Sequence, residues 1–385
     1  MIPLLPQSST DYSCPHCHVP LNVHGFFIPG MRNLAQLACK QCSREYYGDL
    51  RSGQAFYTPQ LLEIATGTVH DPHGVAWFAS WLAKSYANRV AVMPEFRVIE
   101  HRAVKRSVVF LNCLDTLYGH VLLKLLNAQL LINRSDLDLI VMVPRSFAWL
   151  VPDGAAQVWL VDWPLSRGTE WNDTLANEIG RRLTAFAEVH LSIAHSHPHP
   201  NDYDIERFTR VRPFAIDDWR TRLVDPTVTF IWRDDRTWKR RLTSQRRNVE
   251  HFWRALHEQI PTLNFAVAGL GNPGGLPSAI HDLRQPSLDA SAERAWCERY
   301  AASHLVIGIH GSNMLLPSAH AGGAVELLPR DRWGNYLQDL LLRPSDARDL
   351  LFRYRFVPDD TPPAALAQLA ASILTGLPKF TELMQ

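Results

Sequence analysis

The chain has 385 residues, a hydrophobic share of 46% and a formal net charge of +1, which describes a globular protein too long for one ordinary core and predicts two or three domains. Charge this close to balance excludes a global attraction to nucleic acid or anionic membrane, so any polyanion has to be met by a local patch. The opening MIPLLPQSSTDYSCPHC has no cationic segment followed by an apolar one, and no apolar run approaches the roughly 20 residues of a membrane span; a cytoplasmic protein is expected.

The strongest local signal comes first in the chain. Cys14 and Cys17 form one C-x-x-C and Cys39 and Cys42 a second, with 21 residues between the pairs. Two knuckles of this kind aim four thiolates at one point and close a tetrahedral zinc shell, so a structural zinc is expected, in preference to two disulfides or a duplicated redox pair. His16 and His18 lie inside or beside the first knuckle, as substitute ligands or as solvent-facing side chains. Cys113 and Cys297 stand singly in apolar surroundings and read as buried small hydrophobes.

Residues 1–52 are assigned to this zinc ribbon, with REYYGDL as its closing strand. PQLLEIATGTV and GVAWFASWLAKSYANRV follow as short helices. From residue 107 the text alternates: SVVFLNCL as a strand, GHVLLKLLNAQLLIN as a helix, LDLIVMVP and QVWLVDWP as strands, and a long helix over EWNDTLANEIGRRLTAFAEVHLSIAHSHPHP. Beyond Pro226 the alternation restarts: strand TVTFIWR, helix SQRRNVEHFWRALHEQI, strand LNFAVAGL, helix DASAERAWCERYAAS, strand HLVIGI, short helix SNMLLPSAH, strand GAVELLP, and a last helix in PPAALAQLAASILTGLPKF. The expected fold is α/β, with two Rossmann-like domains at 53–222 and 223–385 behind the ribbon, whose strand ends would face a shared ligand cleft.

His310, Gly311, Ser312 and Asn313 stand where strand HLVIGI gives way to a helix, a place where backbone N–H groups suit a phosphate. Gly311 allows close approach to the backbone, Ser312 or Asn313 can cap the helix, and His310 offers a ring nitrogen to a diphosphate. Glu326 in AVELLP is a carboxylate inside an apolar strand and needs a partner, either a ribose diol or an arginine. GLGNPG at Gly269–Gly274 lacks the helix and later acidic residue of a dinucleotide site and reads as a loop. HSHPHP at His195–Pro200 reads as a solvated loop in preference to a chelator. The stretch Arg233–Arg254, with Trp232, Trp238 and Trp253, reads mostly as the solvated face of a helix, with a nucleic-acid surface as its rival.

The segment VIGIHGSNMLLPSAHAGGAVELLP resembles the C-terminal signature of family-61 glycosyltransferases, an apolar strand, a His-Gly turn, a small apolar helix, and Val-(Val or Ile)-Glu-(Leu or Ile)-x-Pro. FIWRDDRTWKRRLTSQRRNVE and LYGHVLLKLLNAQLLIN resemble further parts of the same pattern. Ser312-Asn313 departs from the family's usual Ala-Gly, and the ribbon lies outside the pattern. The resemblance implies a GT-B fold that binds a nucleotide sugar in the C-terminal half and a glycan, lipid-linked or protein acceptor in the N-terminal half. Carried over by position, Arg233 and Arg236 would hold the diphosphate, His310 with the Gly311–Ser312 backbone would steady the leaving phosphate, and Glu326 would bind the ribose. Transfer would be inverting and metal-independent, with Asp115 and His120, at the end of the first strand of the acceptor half, as candidates for the base. The rivals are a polysaccharide pyruvyltransferase-like enzyme on the same fold and a zinc-ribbon protein that binds nucleic acid.

Overall fold

A computed structural model describes residues 1–105, 107–193, 197–238 and 241–384. The chain divides into two compact units, Met1–Pro198 and His199–Gln385. Among the described residues no helix is long and apolar enough to cross a membrane.

The first unit holds strands β1 (Ile2–Leu5), β2 (Asn22–Phe27), β3 (Leu34–Ala38), β4 (Glu45–Asp49), β5 (Leu61–Glu63), β6 (Val69–His70), β7 (Phe96–Glu100), β8 (Ser107–Asn112), β9 (Leu137–Pro144), β10 (Gln157–Val161) and β11 (Val189–Leu191). Strands β2 to β6 make an antiparallel sheet in chain order, while the others form a six-stranded sheet ordered β1-β11-β8-β9-β10-β7. In that second sheet β11, β8, β9 and β10 run parallel and the two edges, β1 and β7, pair antiparallel. Strand β9 is buried along its whole length, as a strand covered on both faces requires.

Two expectations are corrected here. PQLLEIATGTV is not a helix but the β5–β6 hairpin, turned at Gly67 with φ +70°. The ribbon is also not a separate domain ending at residue 52, because its sheet runs on to His70 and its first strand, β1, belongs to the other sheet. Both sheets share one core, in which Cys14, Leu37 and Tyr46 pack with Val108, Ile140 and Trp159. Asn112, at the end of β8, donates to Gly30 O at 2.8 Å and to Asn33 Oδ1 at 2.9 Å, stitching the ribbon loop to the parallel sheet. The long helix expected after residue 170 stops at Leu183, where the chain turns into β11.

The second unit begins at His199, ahead of the boundary expected near residue 222. Its strands are β12 (Thr227–Arg233), β13 (Asn264–Leu270), β14 (His281–Gln285), β15 (Leu305–Ile309), β16 (Gly323–Leu328) and β17 (Tyr354–Pro358), all parallel, in the order β14-β13-β12-β15-β16-β17. Counted within the unit this is 3-2-1-4-5-6, the order of the doubly wound dinucleotide-binding fold, and it reverses between β12 and β15. The helix Leu242–Gln259 buries Val249, Phe252 and Leu256 at helical spacing and leaves its arginines outside. Residues 199–223 close the lower rim: Phe214 and Trp219 pack edge-on, and both lie against His304.

His304 and His320 are buried in this unit as neutral rings. Thr227 N–H donates to His304 Nδ1 at 3.2 Å, leaving its Nε2–H for Trp219 O; His320 Nδ1–H donates to Leu316 O at 2.8 Å and its Nε2 sits 2.8 Å from Thr209 Oγ1. Burial pulls both from the usual 6.5 down to about 4. Between those values the unfolded chain binds protons that the native rings refuse, so native stability is complete above pH 6.5 and falls as pH drops toward 4. Urea titrations across this window are expected to show a loss on the order of 3 kcal/mol per histidine at pH 4, as an upper bound. His320→Gln is expected to flatten the pH dependence.

Candidate functional site

In the first unit the two knuckles are built alike. Cys14 N–H donates to Val19 O at 2.8 Å and His18 N–H to Cys14 O at 2.9 Å; Cys39 N–H donates to Arg44 O and Ser43 N–H to Cys39 O, both at 2.9 Å. The residue after each second cysteine takes a left-handed conformation, His18 at φ 60° and Ser43 at φ 58°. Such turns bring Cys14, Cys17, Cys39 and Cys42 together, with their sulfurs within 4.8 Å of one another and no disulfide among them. Cys14 Sγ and Cys42 Sγ are 3.7 Å apart, against an edge of about 3.8 Å for a tetrahedron with zinc–sulfur bonds near 2.3 Å. The donor set fits a closed zinc site. Cys113 and Cys297 are fully buried, and burial pushes the Cys113 thiol up to about 12 and Cys297 well up, as inert core residues require.

Asp115 and His120 do come together, at 3.3 Å between Asp115 Oδ1 and His120 Nδ1. Asp115 is buried at the end of β8, accepts from Leu117 N–H at 3.1 Å as the chain enters the helix Tyr118–Ile132, and receives Lys124 Nζ at 2.9 Å. Burial raises its pKa, but Lys124 and then His120 outweigh that and hold the carboxyl below its usual range. A carboxylate so held accepts protons poorly. The two expected base candidates thus form one pair, Asp115 buried and His120 partly exposed.

In the second unit the candidate residues collect at the carboxyl ends of β12 and β15, where the strand order reverses and open parallel sheets take ligands. Register explains the placement. Gly308 lies opposite Glu326, so His310, two residues on, shares its face, where its ring meets the carboxylate. His310 Nδ1 and Glu326 Oε2 are 2.6 Å apart, with the residues 1% and 0% exposed. The partner of the buried carboxylate is thus a histidine, in place of the expected ribose or arginine. Across the ring, His310 Nε2 is 3.2 Å from Asp339 Oδ2. Burial raises Glu326 strongly, with Asp339 adding to it, and burial lowers His310. Burial also raises Asp339, against the opposing pull of His310, Arg236, Arg332 and Arg233.

Arg233 ends β12 and is held in a fork by Asp235, with Nε to Oδ1 at 2.7 Å. Arg236 donates to His310 O at 2.8 Å, and a Cβ on Gly311 would fall 2.3 Å from its Nη1. Gly311 itself sits at φ +155°, a conformation that side-chain-bearing residues rarely adopt. Ser312–Met314 is a short 3-10 turn leading into the helix Leu315–His320, and neither element has a side-chain cap, so the capping expected of Ser312 or Asn313 is absent. Asn313 Oδ1 is instead a buried acceptor without a hydrogen-bond partner. Asp339 and Arg332 were not found by sequence reasoning. Arg332 lies in the short 3-10 helix Arg330–Asn335 after β16 and Asp339 in the loop beyond it, where no periodicity places them.

GLGNPG forms the expected loop between β13 and β14, with no helix opening from it. Trp232 and Trp238 are buried and Trp253 packs against the core, which removes the stacking platform that a nucleic-acid surface would need. Arg240, His195 and Ser196 lie outside the described residues, so the HSHPHP reading falls partly there.

No protein-family model and no curated protein matches the chain. Among solved structures it is similar to the Glycosylation Associate Protein (Gap123) complex from Streptococcus agalactiae, at 11% identity and a TM-score of 0.30, over 73% of this chain and 53% of that one. The chain spans about half the length of that protein, and a likeness at this level carries no functional argument.

Two outcomes are expected from this geometry. Cobalt(II) added to the reduced, metal-free protein should give thiolate charge-transfer absorption that Cys39→Ser abolishes. Glu326→Ala leaves the buried His310 Nδ1 without its partner and should cost about 1–3 kcal/mol in urea unfolding.

Proposed function

We propose that the chain is a glycosyltransferase that uses a nucleotide sugar, with the donor bound at the strand-order reversal of the second unit and the acceptor served by the first, in a two-domain arrangement of the GT-B kind. The observation that supports this reading is the placing of Arg233 at the end of β12 and of Arg236 on the carbonyl of His310, beside the His310–Glu326–Asp339 cluster at that point. Departure of a nucleoside diphosphate develops negative charge, and preorganised guanidinium groups are well suited to neutralise it. In this reading Arg233 and Arg236 hold the diphosphate, and His310, buried and bonded to Glu326, steadies the leaving phosphate through Arg236, which its carbonyl holds. Asn313 Oδ1 offers a further polar group to the donor. His120 takes the proton of the acceptor hydroxyl, with Asp115 behind it, and the transfer inverts in one displacement.

Glu326 is engaged by His310 and does not distinguish a ribose-bearing donor from phosphoenolpyruvate. The test therefore screens UDP, GDP, CMP, ADP, their sugar conjugates and phosphoenolpyruvate by thermal shift on the zinc-replete protein. One nucleoside diphosphate is expected to stabilise the fold. Arg233→Ala is expected to weaken that binding about 10- to 100-fold, the loss of one charge-assisted contact of about 1.5–3 kcal/mol. Stabilisation by phosphoenolpyruvate alone would replace the reading with pyruvyl transfer. No stabilisation by any donor, with a shift on a random oligonucleotide, would end it.

A further inference from the structure

We propose that the first unit carries a second divalent-metal site beside the four-thiolate centre, formed by His16 Nε2, Glu63 Oε2 and His70 Nε2 and suited to a zinc-class cation. These three atoms lie within 4.8 Å of one another. Glu63 Oε2 is 3.2 Å from His16 Nε2 and 3.8 Å from His70 Nε2. The edge of a tetrahedron around zinc with nitrogen and oxygen ligands at 2.0–2.1 Å is about 3.3 Å, between the two separations.

The local fold makes this arrangement. Glu63 ends β5 and His70 ends β6; Leu61 pairs with His70 across the hairpin, so Glu63, two residues from Leu61, lies diagonally across from His70 on the same face. The turn is closed by Glu63 N–H to Thr68 O at 2.9 Å. His16 comes from the tip of the first knuckle, between Cys14 and Cys17. Three rigid pieces of backbone therefore deliver three ligand atoms, none of which depends on a long mobile side chain.

Two features point to a cation. His70 Nε2 is buried and has no hydrogen-bond partner, since Glu63 at 3.8 Å is beyond bonding distance. A buried ring nitrogen left so is costly, and a metal would use its lone pair. The other oxygen of Glu63, Oε1, receives Arg44 Nη1, the outer hydrogen bond that metal-bound carboxylates commonly carry. His70 also lines a cavity of about 610 Å³, together with Tyr12, Arg51, Asp71 and His73. Two histidines and one glutamate with a fourth position to fill differ in kind from the closed thiolate shell: this cation would be exchangeable and bound more weakly, partly because Arg44 competes for the charge on Glu63.

The rival arrangement has no metal: Glu63 holds His16 of the first knuckle and Arg44 beside the second, as a clamp between them. Metal titration of the full-length chain separates the two. Reduced, metal-free protein is titrated with cobalt(II) and followed by absorption. The proposal expects one equivalent with thiolate charge-transfer absorption and a weaker second equivalent with ligand-field bands and no thiolate band. His70→Gln and His16→Gln should each remove the second equivalent and leave the first. His16 is substantially exposed, so its variant does not threaten the fold, and retention of the thiolate band reports an intact ribbon in both. Saturation at the thiolate equivalent alone in the unsubstituted protein, or a second equivalent unchanged in both variants, would overturn the proposal. Neither readout depends on a donor or on activity.

Discussion

Glu326 has no access to water, and a carboxylate in the middle of a parallel sheet is tolerable only when something answers it. The answer is His310, and much of the upper edge of the second unit follows from that contact. Next to it Gly308 leaves room for Met314 and Ile231, whose Sδ and Cβ lie 2.7 and 2.9 Å from where a Cβ on Gly308 would stand. Arg236 holds the carbonyl of His310. Asp339 stands at the free nitrogen of the ring. The residue is thus held at Nδ1 and at its own backbone carbonyl, which is the kind of preorganisation that charge-stabilising sites depend on.

The first unit solves a different problem. Its antiparallel sheet is small, with strands of two to six residues, and such a sheet has little core of its own. It gains one in two ways: four thiolates close the knuckles, and the inner cysteines join the hydrophobic core of the parallel sheet. Tyr46 shows how the two are joined, packing in that core while its hydroxyl lies 3.4 Å from Cys14 Sγ. A zinc ribbon with a free outer face would have been a separate module, whereas this one is part of the packing of residues 1–198.

How far the sequence could be read depended on how strongly each element announced its period. Strands β8, β9, β12, β15 and β16 are continuous apolar runs bounded by turn residues, and they were legible. The edge strands β7, β14 and β17 carry FRVIE, HDLRQ and YRFVP, whose charges sit where one side faces water, and nothing local separates them from loops. The PQLLEIATGTV segment was misread because a three-residue strand, a Gly67 turn and a two-residue strand are too short to show alternation. The residues of the second-unit site divide in the same way. Arg233, His310 and Glu326 stand at strand ends or inside strands, and could be picked out by position; Arg332 and Asp339 arrive from a short 3-10 helix and the loop beyond it, and Glu63 and His70 meet through a hairpin.

What the sequence by itself determined is the chemistry available at each place: two C-x-x-C pairs that can make a tetrahedral sulfur site, an α/β alternation, arginine at the end of one strand, histidine after another and a carboxylate inside a third. Only the tertiary structure decided which of these groups spend themselves on one another. Glu326 goes to His310, Asp115 to Lys124, and the tryptophans of the arginine-rich stretch to the core, because partner choice depends on register and burial across strands distant in the chain. A sequence records each side chain's needs. The energy of meeting them is settled by what lies within about 3 Å once the sheets have formed.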